Sequence, residues 1–238
     1  MPPPTPHDIP TFADKWNDFL ASDAVFLAED TLAFAQGRAQ HLTFLVRIED
    51  ASAREYAARV TDRLANIAGV EPFPEWYWHI TVKGAGFQVI KRTHDDDVLR
   101  QDVSRLASRA RPLFERAPAF EAQLGPPNAF PGGVILEVHD GGAVRALNQQ
   151  LLDVEDVARY EFDGAVFLPH VSIAQFGSRE GLAELKGRLA ALREEGPGPS
   201  FPVRRVELVR AWLTDEVTEL ETLATYALAP ARRAGAAP

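Results

Sequence analysis

Cysteine is absent from all 238 residues, which removes disulfide frameworks, zinc ribbons, thiol nucleophiles and iron–sulfur ligation from consideration. No run approaches the roughly 18 consecutive apolar residues of a membrane helix. The opening segment MPPPTPHDIP has neither the basic start nor the apolar stretch of a secretory signal, so a cytoplasmic protein without a membrane partner is expected. Basic residues are also short: 25 Lys and Arg against 34 Asp and Glu leave a net charge of −9, and this mean field repels polyanions and argues against a non-specific nucleic-acid coat. A local basic groove remains compatible with it. The hydrophobic content of 46% is enough for a sizeable core in one larger domain or two closely packed lobes.

The two ends differ from the middle. Five prolines fall in the first ten residues, and the tail ARRAGAAP is small and polar, so both ends are expected to fray. Between Phe12 and Gln36 apolar residues recur at roughly helical spacing (Phe12, Trp16, Phe19, Leu20, then Val25, Phe26, Leu32 and Phe34), predicting a short helical extension on the main body. The expected divisions are an N-terminal extension over 1–40, a bilobal body over 41–228 and a flexible tail over 229–238.

The body reads as a duplication. His41 to Ile48 is a buried strand, Asp50 or Ser52 a cap, and Tyr56, Val60, Leu64 and Ile67 one helical face closed by Gly69; Trp76 to Val82 is a second strand. Downstream, Gly133 to Val138 is a strand, Asp140 to Gly142 a turn, Val144, Leu147 and Leu151 a helical face, and Phe167 to Phe176 a strand led by Pro169. The interval of 38 residues from His41 to His79 recurs from Gly132 to His170, with a period of 91. Each unit is followed by an amphipathic helix, through Leu99, Val103, Leu106 and Ala110 in the first and Leu182, Leu185, Leu189 and Leu192 in the second. Each half then ends in β-like segments, Ala119 to Leu124 and Val203 to Leu213 with Leu220 to Leu228. The expected fold is α+β: two pseudo-symmetric lobes, each a mainly antiparallel sheet with helices on its outer face, and an active cleft between them.

Within the repeats, HITVK carries His79 and Thr81 two residues apart and HVSIAQF does the same with His170 and Ser172. Strand alternation sends each histidine and its hydroxyl partner to one face. If a two-fold relates the halves, two imidazoles flank two hydroxyls. Phosphodiester cleavage asks for a base on the incoming oxygen, an acid on the leaving oxygen and donors to the non-bridging oxygens, and imidazole serves either proton role near neutrality. No metal is required. His41-Leu42-Thr43 also fits the pattern but has no counterpart at Gly132, so His41 is assigned to structure. Lys83 continues the alternation and could neutralise phosphate charge. Of Trp76, Tyr77, Trp78, Phe130 and Phe176, one or two could stack on a nucleobase, with Trp78, Phe130 and Phe176 the candidates. His94-Asp95-Asp96-Asp97 is read as a capped helix N-terminus rather than a metal cluster. Arg105 with Arg109, and Arg204, Arg205 and Arg210, are read as solvated faces rather than an RNA stripe.

HITV and HVSI, in this order and separated by about ninety residues, resemble the paired HxTx/HxSx signatures of the 2H phosphoesterase superfamily, including its bacterial RNA 2′,3′-cyclic phosphodiesterase (2′-5′ RNA ligase) group. The Ala129-Phe130-Pro131 lead into VILEV and the terminal pair ending Tyr226-Ala227-Leu228 are similar as well, so the resemblance covers residues 41–228. It implies His79 as proton donor, His170 as proton acceptor, and Thr81 and Ser172 as phosphate-binding hydroxyls. It also implies hydrolysis of a ribose 2′,3′-cyclic phosphate to a 2′-phosphomonoester without a cofactor or an obligate protein partner, on a nucleotide or an RNA end. Ser in the second signature departs from the commoner Thr. The alternatives are a phosphate- or nucleotide-binding module without turnover, or the same fold acting on 2′-5′ linkages or an ADP-ribose cyclic phosphate.

Overall fold

The computed structural model describes residues 9–214, 217 and 219–231. The extension holds two helices, α1 (Phe12–Ala21) and α2 (Ala28–Ala35). Thr11 and Asp14 close a reciprocal capping box at the start of α1. The body begins with β1 (Gln40–Arg47), α3 (Ala51–Asp62), β2 (Val70–Pro72), β3 (His79–Val89), β4 (Asp97–Leu99) and α4 (Val103–Arg116). It continues with β5 (Phe120–Phe130), β6 (Gly133–His139), α5 (Ala143–Leu151), β7 (His170–Phe176), α6 (Leu182–Arg193), β8 (Ser200–Val203), β9 (Arg205–Trp212) and β10 (Glu221–Ala227).

The strands form one continuous, mostly antiparallel sheet in the order β10-β9-β1-β3-β7-β6-β5-β8, with β2 beside β7 and β4 parallel to β3. The two expected halves are thus two ends of one sheet, and they meet where β3 and β7 share a single registered pair, Ile80 with Val171. The halves also exchange parts. β5 follows the first half's helix α4 yet pairs with β6, whereas the last two strands return to β1.

The helices cross over too. On α3, the Tyr56 hydroxyl donates to the Gly125 carbonyl at 3.2 Å; on α5, the Asn148 amide donates to the Val82 carbonyl at 2.8 Å. Each repeat's helix therefore covers the other repeat's strands, and neither half closes its apolar layer alone. One hydrophobic cluster runs through both, from Phe44, Phe114 and Tyr226 at one end to Leu124, Leu185 and Leu189 at the other. The Phe44–Phe114–Tyr226 rings pack with centroids 4.8–6.1 Å apart, tying β1, α4 and β10 together.

Several expected boundaries shift. α3 ends at Asp62, although Leu64 and Ile67 still reach the core from the turns that follow. Trp76 lies in a 3-10 turn (Glu75–Tyr77), because Pro74 precedes it and β3 starts only at His79. Leu99 belongs to β4, and α4 starts at Val103. The expected helix cap over His94–Asp97 is instead a turn: the Asp97 carboxylate accepts the Thr93 and His94 amides at 2.7 and 2.9 Å, and with Asp96 it pairs Arg38. Gly86 lets this turn lie close, since its φ is +127° and a Cβ there would sit 2.5 Å from the Asp96 carbonyl oxygen.

Candidate functional site

The antiparallel register at the seam positions the two signatures. Ile80 faces Val171, so one step to either side sets His79 across from Ser172 and Thr81 across from His170, on the face opposite Ile80 and Val171. Those two apolar side chains are fully buried in the core. The convergence expected from an open cleft between lobes is accomplished by direct strand pairing. Two rows of side chains cross the sheet here. One runs Arg47, His79, Ser172, Ile135 and the other Leu45, Thr81, His170, Glu137. The pseudo-two-fold exchanges them, relating Leu45 to Ile135 and Arg47 to Glu137.

Both imidazoles are held in the same way. His79 Nδ1 lies 2.6 Å from the Tyr77 carbonyl oxygen and His170 Nδ1 lies 2.8 Å from that of Leu168, the residue two places earlier in each case. A carbonyl can only accept, so each Nδ1 carries hydrogen and, in the neutral ring, each Nε2 keeps its lone pair. The hydroxyls of Thr81 and Ser172 make no hydrogen bond to another described residue, in contrast to Thr43, whose Oγ1 lies 3.0 Å from His41 Nδ1. The third His-x-Thr closes on itself; the two at the seam leave Nε2 and the hydroxyl available.

Burial sets the protonation of the pair. It draws His79 down to about 4, with the Tyr77 carbonyl opposing and His170 and Arg47 adding to the depression. His170 is lowered as well, by burial, against its bond to Leu168. Aromatic edges enclose both rings: Tyr77 lies 5.2 Å from His79 at 78°, and Phe130 lies 4.6 Å from His170 at 78°.

Three expected contributors do not reach this face. Lys83 is fully buried, its ammonium 2.8 Å from the Asp163 carboxylate, donating to the Gly84 carbonyl at 2.7 Å and lying over the Tyr160 ring. A β-bulge is the reason. Leu45 pairs with Thr81 and Phe44 with Lys83, so Val82 is an extra residue that breaks the alternation and puts Lys83 in register with a core phenylalanine. Trp78 is 2% exposed and Phe176 is 0% exposed, so neither can take a base. Phe130 stays beside the site. Arg105 and Arg109 join Arg92 on Asp156 in an ion-paired surface cluster, in keeping with a solvated face rather than an RNA stripe. Among the described residues no group of three or more His, Asp or Glu is arranged to hold a metal ion, and no helix is long and apolar enough to cross a membrane.

Sequence reasoning passed over Arg47 and Glu137. Arg47 bonds Glu207 at 2.9 Å and the Leu220 carbonyl at 2.9 Å, securing the start of β10 beside the site. Glu137 is buried and accepts from Asn128 and Arg193, both at 2.8 Å. Their only signal was position: each pairs across a strand with a signature histidine.

Solved structures share this fold. TT0787 of Thermus thermophilus superposes with a TM-score of 0.55 at 17% identity, covering 79% of this chain and 97% of that one. E. coli LigT complexed with 3′-AMP gives 0.55 at 17% identity, with 80% and 98% covered. The ATU0111 protein of Agrobacterium tumefaciens gives 0.56 at 15% identity, with 78% and 85% covered. No curated protein matches the sequence significantly. The family model described as the 2′-5′ RNA ligase superfamily matches residues 48–212, which include both signatures and both strands of the seam. With its fold shared by LigT and its sequence matched over most of its length, the chain belongs to the 2′-5′ RNA ligase superfamily of 2H phosphoesterases.

Proposed function

We propose that the protein is a phosphoesterase that hydrolyses a ribose 2′,3′-cyclic phosphate, on a nucleotide or an RNA end, to a 2′-phosphomonoester. The observation that carries this reading is the paired arrangement at the seam: two Nε2 atoms and two hydroxyls, unbonded to any described residue, on one face of two adjacent strands. LigT has been solved with phosphate, ATP and 3′-AMP, which supports a nucleotide phosphate as the ligand class.

In the reaction, His170 Nε2 takes a proton from water as its oxygen attacks phosphorus. The P–O3′ bond breaks, and protonated His79 gives its proton to the departing O3′. Thr81 and Ser172 donate to the non-bridging oxygens, where the charge grows. A well-placed donor of this kind contributes about 3 kcal/mol, and each general acid or base step roughly 10²- to 10⁴-fold. Because burial draws His79 to about 4, the bound anion also adjusts the acid: its charge offsets Arg47 and draws onto His79 the proton that the leaving oxygen needs. Phe130, edge-on to His170, offers the base an apolar surface.

The test is purified protein with a 2′,3′-cyclic mononucleotide or short oligonucleotide in EDTA. Turnover lost in the His79→Ala/His170→Ala variant is expected. Turnover abolished by the chelator, or unaffected by the double substitution, overturns the reading, and binding without product identifies a recognition module instead. Rates on 2′-5′ linked oligonucleotides and on an ADP-ribose cyclic phosphate, at one salt concentration, rank the substrates.

A further inference from the structure

We infer that Tyr77 is a substrate-contacting residue whose phenol donates a hydrogen bond to a non-bridging oxygen of the bound phosphate, a role that rests on the phosphoesterase reading of the same site. Tyr77 is the last residue of the 3-10 turn that feeds β3. Its backbone carbonyl holds His79 Nδ1 and its ring packs edge-on against the same imidazole. Phe73 flanks the ring at 4.8 Å on one side, while Leu45, Val209 and Leu220 form the apolar bed beneath. Leu45 is the cross-strand partner of Thr81, so this bed adjoins the hydroxyl already assigned to phosphate.

The ring is therefore fixed from several directions, yet its hydroxyl makes no hydrogen bond to any described residue. Two other tyrosine hydroxyls of the core are engaged: Tyr56 donates to Gly125 and Tyr226 to the Ala107 carbonyl at 3.0 Å. This phenol, beside His79 and without a partner among the described residues, is accessible to what enters the cleft. Burial also raises its pKa, so it remains a donor throughout the range in which histidine works. The opposite imidazole is edged by Phe130, which has no hydroxyl. The aromatic edge is thus a phenol on the His79 side and a phenyl on the His170 side, and this asymmetry would orient a nucleotide with its phosphate toward Tyr77 and its base toward Phe130.

The experiment compares the full-length protein with Tyr77→Phe, which keeps every ring contact and removes one oxygen. Inorganic phosphate binding is measured by calorimetry, cyclic-nucleotide turnover by product formation, and folding by the unfolding midpoint. An unchanged midpoint with phosphate affinity about ten- to a hundred-fold weaker, and kcat/KM lowered to match, is expected for a lost hydrogen bond to a charged group. In protein carrying ¹³C-labelled tyrosine, phosphate should shift one tyrosine ring resonance that is missing from the variant. Equal affinity and turnover in the two proteins, or a wild type that leaves phosphate unbound at millimolar concentration, overturns the assignment. Tyr77-dependent phosphate binding with no turnover of cyclic substrate supports Tyr77 and overturns the hydrolase reading alone.

Discussion

Lowering the pH from 7.5 to 5.0 should cost this protein stability through its enclosed histidines, and His79 offers a direct measure. Its pKa is about 4 when folded and close to 6.5 in an unfolded chain. The unfolded state therefore takes up a proton first as pH falls. The stability contributed by keeping the ring neutral is complete above about 6.5 and is lost as pH drops toward 4. At pH 5.0 the unfolded ring is almost wholly protonated and the folded ring only about one-tenth so, a difference of about 2 kcal/mol. His41, also drawn to about 4, chiefly by burial with Lys83 adding to it, contributes a similar loss over the same range. The window is clean on its acid side. Asp97, pushed up by burial but held at about 2 by the amides of Thr93 and His94 and by Arg38, loses its contribution only between about 3.8 and 2.

The assay is urea unfolding of wild type and His79→Asn at both pH values. Asparagine can still donate to the Tyr77 carbonyl, and the pH-independent cost of the substitution cancels in the difference between pH values. Wild type should lose about 2 kcal/mol more than the variant on going from pH 7.5 to 5.0. Equal losses would refute the claim that burial and Arg47 hold this imidazole neutral, and with it the argument that bound phosphate must bring the proton.

Binding of inorganic phosphate at pH 6.5 should be accompanied by proton uptake, seen as a dependence of the calorimetric heat on buffer ionisation enthalpy; uptake unchanged in His79→Asn/His170→Asn would count against coupling to the imidazoles. His79→Ala and His170→Ala, made singly, should each lower kcat by roughly 10²- to 10⁴-fold, with opposite limbs of the pH–rate profile removed. Losing the same limb in both would overturn the division of roles. Lys83→Met leaves the Asp163 carboxylate buried without its ion pair and should cost about 3–5 kcal/mol in chemical unfolding, while the folded fraction keeps its phosphate affinity; weakened affinity with unchanged stability would return Lys83 to the cleft. Gly86→Ala, forced into a positive φ and against the Asp96 carbonyl, should lower the unfolding midpoint, and an unchanged midpoint would contradict the close approach of that turn.

The residues proposed to carry the chemistry stand out in the sequence because their signal is local. Two residues apart on a strand means one face, and the recurrence of His-x-Thr/Ser at a matching place in a duplicated unit separates His79 and His170 from His41 by sequence alone. The same periodicity located β1, β6, α5 and α6 within a residue or two, with Leu182, Leu185, Leu189 and Leu192 all buried. It failed where backbone geometry departs from a regular period. One extra residue at Val82 turned Lys83 from the cleft into an ion pair, and Pro74 held Tyr77 and Trp78 outside β3.

Alternation thus determined which side chains share a strand face, since that depends on neighbours along the chain. Which strands are adjacent, which repeat each helix covers, and whether an aromatic ends in the core like Phe176 or beside an imidazole like Phe130 were decided by tertiary structure. Those outcomes depend on contacts between segments far apart in sequence. Burying a continuous apolar layer across both halves fixes them, and no local pattern records how that layer is shared.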